Sequence, residues 1–359
     1  MRIALIVYGS IDTLSGGYLY DRMLVEYMKS RGDQVAIISI PWRDYARNLL
    51  DNFSISLYKK LVDLPVDLVL QDELNHPSLF ILNKAISRKR DFKIISIVHH
   101  LRSSEANPKL VNYFYRWVEK QYLQHVDGFV FNSISTQDSV EKLTKKNRPS
   151  VMAYPAGDRL HPEISHSQVA ARSKLGGPLQ IIFLGNVTPR KGLHVLLEAL
   201  REIPPEYWRL TVVGSLGMDP RYAEEIRRSV HRSGIEKLVS FTGPLDERDL
   251  RSRLYRSQLM AVPSFHEGFG IAYLEGMGFG LPAIASSDGG AGEFVTHGVD
   301  GYLVPPGNPS LLYEYILRLS SDRVLLSRMS LAALNRYRNH STWEESNSRI
   351  RYFLEKMSH

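Results

Sequence analysis

The sequence predicts an α/β protein built from two doubly wound domains, each a parallel sheet covered by helices. The chain has 359 residues, which is long for one domain and suits two. Hydrophobic residues make up 43% and charged residues 23%, so each half can bury its own core. Short apolar runs alternate with amphipathic stretches, and this alternation breaks only once, around residues 155–178.

The strands predicted in the first half are mostly β-branched and apolar on both faces, as covered parallel strands are. They are Ile3–Val7, Val35–Ile40, Leu68–Leu70, Ile94–Val98, Phe129–Phe131 and Val151–Tyr154. Amphipathic stretches such as Leu19–Lys29 and Pro77–Lys89 lie between them. We therefore predict a first domain over residues 1–165.

Glycine and proline punctuate residues 155–178, where no strand is visible, and this indicates a linker. A second series of strands follows at Ile181–Leu184, Leu210–Val213, Val239–Thr242, Leu259–Val262 and Ala283–Ala285. We predict a second domain over residues 178–340. Two such domains in tandem are expected to face each other across a cleft at the carboxyl ends of their strands.

The composition excludes several kinds of site. The chain has no cysteine, so it has neither disulfides nor thiolate metal ligands, and a cytoplasmic protein is expected. The first apolar run stops at Tyr8, which suits a buried strand better than a secretory signal. No apolar run reaches 18 residues, so no bilayer span is predicted.

The net charge is +7 and the isoelectric point is near 9.3, but the positive charge is spread over both halves. A nucleic-acid partner would rest on this value alone and is not expected. Two basic clusters, at residues 88–93 and 142–148, are either solvated helix ends or a face for anionic lipid. The stripe of Leu110, Phe114 and Val118 has ordinary helical spacing and is predicted to be core, although it overlaps the aromatic segment 113–117.

The most informative motif runs from Glu267 through Gly268, Phe269 and Gly270 to Glu275. The spacing of the two glutamates proves little, because Glu198 and Glu206 share it. The context is informative, since the run follows a predicted strand and enters a helix whose first amides can bind an anion. Both carboxylates can accept hydrogen bonds from sugar or ribose hydroxyls, whereas the alternative is an ordinary helix start.

A second motif, residues 185–192, ends in Arg190, Lys191 and Gly192 just before a predicted helix. Cations are electrostatically unfavourable at a helix start, unless they face a bound anion such as a diphosphate. Without the glutamate motif, a solvated pair would be the better interpretation of these two cations.

Two further motifs follow strands of the first domain. Gly16 and Gly17 can let a phosphate or sugar approach the backbone, or can form an ordinary turn; they do not complete a dinucleotide-binding fingerprint. His99 and His100 follow the strand Ile94–Val98, and one of them is predicted to face the sugar. Adjacent histidines do not easily chelate one ion, so no metal site is predicted.

These motifs resemble the large family of retaining glycosyltransferases of the GT-B fold that includes sucrose synthase and bacterial mannosyl- and glucosyltransferases. The likeness covers nearly the whole chain. Arg190-Lys191 resembles the family's diphosphate-binding motif, and the run from Glu267 to Glu275 resembles its nucleotide-sugar motif. His99 matches the active-site histidine, whereas Asp33 stands where the family often has histidine.

The resemblance implies a fold, a reaction and a set of roles. The donor is a nucleoside-diphosphate sugar on the second domain, and the acceptor, a glycan, glycolipid or small molecule, binds the first. His99, Arg190, Lys191 and Glu267 are the implied catalytic residues, Glu275 holds the ribose, and the anomeric configuration is retained without a metal or other cofactor. The last helix, residues 341–359, crosses back to the first domain.

Three other classes of protein remain. A nucleotide-sugar 2-epimerase shares the architecture but is not expected to carry Arg190-Lys191 together with both glutamates. A non-catalytic subunit would have little reason to keep them. A dehydrogenase lacks its glycine fingerprint.

Overall fold

The computed structural model describes residues 1–105, 107–145 and 147–358. These residues form two compact units. Unit 1 comprises Met1–Pro155 together with the segment that starts at Trp343, and unit 2 is Ala156–Thr342. Lys146, a member of the second basic cluster, lies outside the described residues.

Unit 1 contains a six-stranded sheet in which every neighbouring pair is parallel. Its strands are β1 (Arg2–Tyr8), β2 (Gln34–Ile40), β3 (Leu68–Asp72), β4 (Lys93–Val98), β5 (Gly128–Phe131) and β6 (Ser150–Met152). The spatial order is β2-β1-β3-β4-β5-β6, so the chain reverses direction across the sheet between β1 and β3. In such sheets ligands bind outside the carboxyl ends of the strands at this reversal.

Helices cover the sheet of unit 1 and bury its apolar strands, most of whose residues are inaccessible to solvent. They are α1 (Gly16–Ser30), α2 (Tyr45–Leu49), α3 (Ile55–Val62), α4 (His76–Ile86), α5 (Lys109–Leu123), α6 (Ile134–Thr144) and α14 (Trp343–Met357). The terminal helix α14 packs on α1, where Trp343 meets the ring of Tyr20 and Asn347 donates to the carbonyl of Met23.

Asp33 shows how α14 is held. Its carboxylate accepts a hydrogen bond from the Met1 amino group at 2.8 Å and another from Arg351 Nε of α14 at 2.8 Å. A histidine at this position would lose both ion pairs. The departure from the family pattern at Asp33 thus serves packing within unit 1.

Unit 2 contains a second six-stranded parallel sheet, in the order β12-β11-β10-β7-β8-β9. Its strands are β7 (Leu179–Leu184), β8 (Trp208–Val213), β9 (Val239–Gly243), β10 (Leu259–Val262), β11 (Ala283–Ser286) and β12 (Gly301–Val304). Numbered within the unit, this is the Rossmann order, and the reversal lies between β7 and β10. Strand β12 was not predicted, because four residues beginning with glycine give little periodic signal.

The helices of unit 2 are α7 (His166–Lys174), α8 (Leu193–Arg201), α9 (Pro220–Arg232), α10 (Glu247–Arg256), α11 (Ile271–Gly278), α12 (Pro309–Ser321) and α13 (Arg323–Arg338). The segment that the sequence suggested as a linker is not open chain. Helix α7 starts at a Ser165–Gln168 capping box, and its Val169 packs in a small core with Ile164 and Leu334 of α13. This one apolar contact explains why the periodicity was too weak to reveal the helix.

The stripe predicted as core on α5 is the clearest error in the helix predictions. Val118 is fully buried, but Leu110 and Phe114 are exposed, because α5 turns a different face to the sheet. Within the described residues, no helix is both long enough and apolar enough to cross a membrane.

Candidate functional site

The two motifs of unit 2 lie at its sheet reversal. Strands β7 and β10 are neighbours in the sheet, and the loops that leave their carboxyl ends carry Arg190-Lys191 and Glu267 respectively. The topology alone therefore brings the predicted cations and the predicted carboxylate to one edge.

Gly192 fixes the approach of the first loop to the second. A short 3-10 turn, Pro189–Lys191, ends at Gly192, which has a φ of +70° and precedes helix α8. A Cβ at this position would lie far inside contact distance of the Pro263 carbonyl oxygen, which follows β10. The Phe265 amide also donates to the Arg190 carbonyl at 2.7 Å. Only glycine permits this packing without strain.

The side chains of Lys191 and Glu267 form an ion pair, with Nζ 2.6 Å from Oε2. Ser264 Oγ donates to the same carboxylate oxygen at 3.1 Å, and Arg190 Nη1 lies 4.0 Å from it while donating to the His266 carbonyl. Two cations thus surround one carboxylate, so these three side chains together carry a net positive charge. The edge is electrostatically suited to an anion such as a diphosphate.

The charges determine the protonation of Glu267. Burial alone would raise its pKa, but the charges of Lys191 and Arg190 and the hydrogen bond from Lys191 outweigh burial and hold the pKa at about 2. Glu267 is therefore a carboxylate at neutral pH. It can accept hydrogen bonds from hydroxyl groups, but it cannot donate a proton as a general acid.

The loop after Glu267 leads directly into α11. Gly270 caps this helix with a φ of +101°, and no side chain of the described residues caps its first turn. Phe269, predicted to bind substrate, is buried and stacks on Phe294 with ring centroids 4.7 Å apart. Phe269 is therefore an anchor for the loop. A bound anion would meet the backbone of Gly268–Gly270 and the start of α11.

The second glutamate, Glu275, does not lie on an open surface as its position in the motif suggested. It is 3% exposed, and its Oε1 accepts a hydrogen bond from Arg159 Nε at 2.6 Å. Arg159 also donates to Glu247 at 3.0 Å and lines a cavity of about 610 Å³ beside α10. Burial raises the pKa of Glu275, and the charge of Arg159 opposes that shift.

The residues of unit 1 gather around the ends of β1, β3 and β4. His99 is 6% exposed, with Nε2 3.3 Å from Asp21 Oδ1 of α1 and its ring edge-on to Tyr20. Its carbonyl accepts hydrogen bonds from Asn132 and Thr136. Burial disfavours a charged ring, but the hydrogen bond with Asp21 and the charges of Asp21, Asp72 and Glu73 raise the pKa of His99 to about 9.

Gly17 is next to this histidine. A Cβ at Gly17 would lie 3.1 Å from His99 Cδ2, so the glycine leaves room for the imidazole ring. Gly16 is exposed in the first turn of α1, after the Ser15 cap. The predicted glycine pair therefore divides into one position that accommodates His99 and one that faces solvent.

Sequence reasoning missed a group of buried polar side chains in unit 1. Asp21, Asp72 and His99 each bring one possible metal-ligating atom within 4.8 Å of the others, and so do Glu73, His76 and Glu119. In the first group a proton on His99 balances one carboxylate, and burial together with the charge of Asp21 raises the pKa of the other, Asp72, to about 7. Burial raises the pKa of Glu73 to about 8 and that of Glu119 to about 7, so protons relieve the charge in the second group as well. The polar run Gln71–Asn75 at the end of an apolar strand was the available signal.

Residues 167–336 match the family model described as Glycosyl transferases group 1. A D-inositol 3-phosphate glycosyltransferase of Xylanimonas cellulosilytica is 27% identical over 64% of this chain and 56% of its own length. One of Streptomyces bingchenggensis is 30% identical over 60% of this chain and 50% of its own length. The chain thus spans about half the length of these curated relatives.

Solved structures resemble nearly all of the chain. Sucrose-phosphate synthase from Thermosynechococcus elongatus has a TM-score of 0.83 at 21% identity and covers 99% of this chain and 98% of its own. Anabaena Alr3699/HepE, solved in complex with UDP and glucose, has a TM-score of 0.80 at 20% identity. The match covers 99% of this chain and 100% of the Anabaena chain. At these identities the likeness concerns the fold.

Proposed function

Because residues 167–336 form a glycosyl transferases group 1 domain, we propose that this chain is a retaining glycosyltransferase. It transfers a hexose-type sugar from a nucleoside-diphosphate sugar to an acceptor hydroxyl, in the synthesis of a cell-envelope polysaccharide or glycolipid. The observation that carries the proposal is the cluster of Arg190, Lys191 and Glu267 at the sheet reversal of unit 2.

The cluster suits a departing diphosphate. As the bond between sugar and phosphate breaks, negative charge grows on the phosphate oxygens. Lys191 and Arg190 are fixed cations at the place where that charge would develop, and the backbone at the start of α11 adds oriented N–H dipoles. Glu267, held ionised by the same cations, would accept hydrogen bonds from the hydroxyls of the transferred sugar.

The donor's ribose is assigned to Glu275. Its carboxylate is fixed by Arg159, so its orientation is set before any ligand binds. A carboxylate that is oriented in advance can accept hydrogen bonds from two adjacent ribose hydroxyls with little loss of side-chain entropy. Anabaena Alr3699/HepE, which binds UDP-glucose in its solved structure, supports a uridine nucleotide as the first donor to test.

The acceptor is assigned to unit 1, near His99. The charged imidazole ring can donate a hydrogen bond to an oxygen of the sugar or of the acceptor. The acceptor hydroxyl attacks the anomeric carbon from the leaving-group side, and the departing phosphate takes its proton. No protein group is needed as a base. The His99 ring, paired with Asp21, therefore serves as a hydrogen-bond donor and as a positive charge.

A thermal-shift panel with the diphosphates of uridine, guanosine and adenosine tests donor binding. At a ligand concentration of about 100 times the dissociation constant, binding contributes about 2.7 kcal/mol to stability. We expect the diphosphate of one nucleoside to raise the melting temperature of the protein clearly more than the other two. Incubation with the matching nucleotide sugars then separates sugar transfer, which is expected, from isomerisation by an epimerase.

A further inference from the structure

The surface of α5 combines two features that the proposed reaction does not use. Leu110, Tyr113, Phe114 and Trp117 have the helical spacing of one face, and they are 88%, 77%, 42% and 49% exposed. Such a row of large apolar side chains on a surface marks an interaction site. Val118 and Tyr122, on another face of α5, are buried in the core of unit 1 and hold the helix in place.

Neighbouring elements extend this apolar row. The Trp117 ring lies edge-on to Phe80 of α4, with centroids 5.8 Å apart, and Ile81 of α4 is partly exposed. The Ile81 amide donates to the side chain of Asn52, next to Phe53, which is 75% exposed. The row on α5 is therefore continuous with apolar side chains on α4 and on the turn before α3.

Positive charge flanks the apolar row. Lys109, Arg116 and Lys120 recur along one side of it on α5, Lys84 lies on α4, and Lys59 and Lys60 lie on α3. These three helices contain a single acidic residue, Glu119, which is fully buried and bonded to Ser103. The exposed charges on these three helices are thus all positive.

We propose that this face of α5 docks on membranes that contain anionic lipid. Aromatic rings with a polar tip favour the level of the lipid head groups, and each lysine or arginine near an anionic surface adds attraction. A second copy of the chain is a poorer occupant. A two-fold interface would bring the cations of both copies to one contact, and α3, α4 and α5 offer no exposed carboxylate to pair with them.

The basic clusters at 88–93 and 142–148 contribute less than the sequence suggested. Arg90 is buried in an ion pair with Asp127, and Arg148 donates to the carbonyls of Val126 and Gln124. These two arginines thus stabilise unit 1 itself. The charge on which the docking proposal depends lies on α5 and its neighbours.

The docking face has a consequence for acceptor delivery that rests on the proposed function. Helix α5 follows β4, whose carboxyl end carries His99, and Leu110 lies in the first turn of α5. The apolar row therefore starts at the edge of the sheet where the acceptor is assigned. A lipid-linked acceptor held in a bilayer would meet unit 1 at this edge.

Vesicle flotation of the full chain tests the proposal. One vesicle is pure phosphatidylcholine, and the other is an equimolar mixture of phosphatidylcholine and phosphatidylglycerol. We expect preferential recovery with the anionic vesicle. This preference should be lost near 1 M salt, where the Debye length falls to about 3 Å. Equal recovery with both vesicles would overturn the proposal.

Two double variants separate the apolar from the ionic contribution. Leu110→Ser with Tyr113→Ser should weaken partition to anionic vesicles by about tenfold or more, since two side chains lose burial in lipid. Lys109→Gln with Arg116→Gln should weaken it roughly 30-fold, through the loss of two charges. The matched controls are Leu175→Ser with Val324→Ser and Arg227→Gln with Arg232→Gln, which alter exposed residues of unit 2.

The outcomes distinguish this surface from the reaction. Controls that lose as much binding as the α5 variants would overturn the proposal, and so would a dimer in solution that the Leu110 and Tyr113 substitutions dissociate. Nucleoside diphosphate binding, measured by thermal shift, should be unchanged in all four variants. Vesicle binding without any nucleotide binding would refute the proposed function and leave the docking face intact.

Discussion

At the residue scale, the account depends on how individual charges are fixed. Lys191 and Glu267 were expected near one ligand and lie 2.6 Å apart in an ion pair. Glu275 was expected to face a ligand or solvent, and its carboxylate is buried in an ion pair with Arg159. Spacing in the sequence indicates which loops converge, but it does not reveal which cation neutralises which carboxylate, since Arg159 lies 116 residues before its partner.

Glu275 makes a testable contribution to stability. Glu275→Ala leaves the largely buried Arg159 without its main partner, which should cost about 3 kcal/mol in the free energy of unfolding. Glu275→Gln keeps an oxygen for Arg159 and should cost clearly less. Urea unfolding measures both, and Glu206→Ala, an exposed glutamate in the chance-spaced pair, is the control. Equal stability of Glu275→Ala and the parent would contradict the observed pairing.

The pairing of His99 with Asp21 predicts a dependence of stability on pH. The folded pKa of His99, about 9, lies above its ordinary value of 6.5. Stability gained from the charged ring is therefore fully present below pH 6.5 and is lost as the pH rises through about 9. Asp21→Asn should cost about 2 kcal/mol at pH 6 and much less near pH 10.

The control for Asp21→Asn is Asp138→Asn, which alters an exposed aspartate on α6 that pairs only loosely with Lys142. Unfolding of the parent and both variants is measured at the two pH values. A cost at Asp21 that is the same at both would show that His99 does not carry the charge in the folded protein.

At the scale of elements, the sequence predicts the strands well. All eleven predicted strands are present, because buried parallel strands form continuous apolar runs. Helix α7 and strand β12 escaped prediction, since each offers few apolar positions. The exposed row on α5 escaped it for another reason: helical spacing identifies an apolar stripe but not whether the stripe faces the sheet or the solvent.

Gly192 links two elements of the proposed donor site and gives a prediction at this scale. Gly192→Ala should strain the left-handed backbone and drive a Cβ into the Pro263 carbonyl, which separates the Lys191 loop from the Glu267 loop. We expect lower stability and loss of the thermal shift with nucleoside diphosphate. Gly234→Ala is the matched control: its φ of +65° is similar, but nothing lies within 4 Å of the added Cβ.

Gly234→Ala should cost only about 1 kcal/mol and keep nucleotide binding. If both alanine variants bind nucleotide like the parent, the contact between the two loops is not needed for the donor site.

At the scale of the whole molecule, the predicted GT-B fold is confirmed by two Rossmann-like sheets and by neighbours such as sucrose-phosphate synthase. The predicted family agrees with the match of residues 167–336 to the group 1 family model. The sugar, the base and the acceptor were not predictable, because family motifs describe what all members share. The buried polar groups of unit 1 combine Asp72 and Glu73 of the run Gln71–Asn75 with residues from other strands and helices, so the local pattern reveals only part of each group.

The absence of a metal requirement remains a prediction. Lys191, Arg190 and the start of α11 are proposed to supply the positive charge that a divalent ion would otherwise bring. We expect the rate of sugar transfer to be unchanged in excess chelator. A loss of rate that is restored by one divalent ion would contradict this account, and would direct attention to the buried histidine–carboxylate groups of unit 1.

Steady-state kinetics of Lys191→Ala tests the central claim most directly. Removal of a cation aimed at charge that develops in the transition state should lower kcat by about 100- to 1000-fold, whereas Glu206→Ala should keep the parent values. The Michaelis constant for the donor should change far less than kcat, because the ground-state diphosphate keeps Arg190 and the helix start. Sugar transfer by folded Lys191→Ala at the parent rate would contradict the assignment of the Lys191–Glu267 edge as the place where the donor's diphosphate departs.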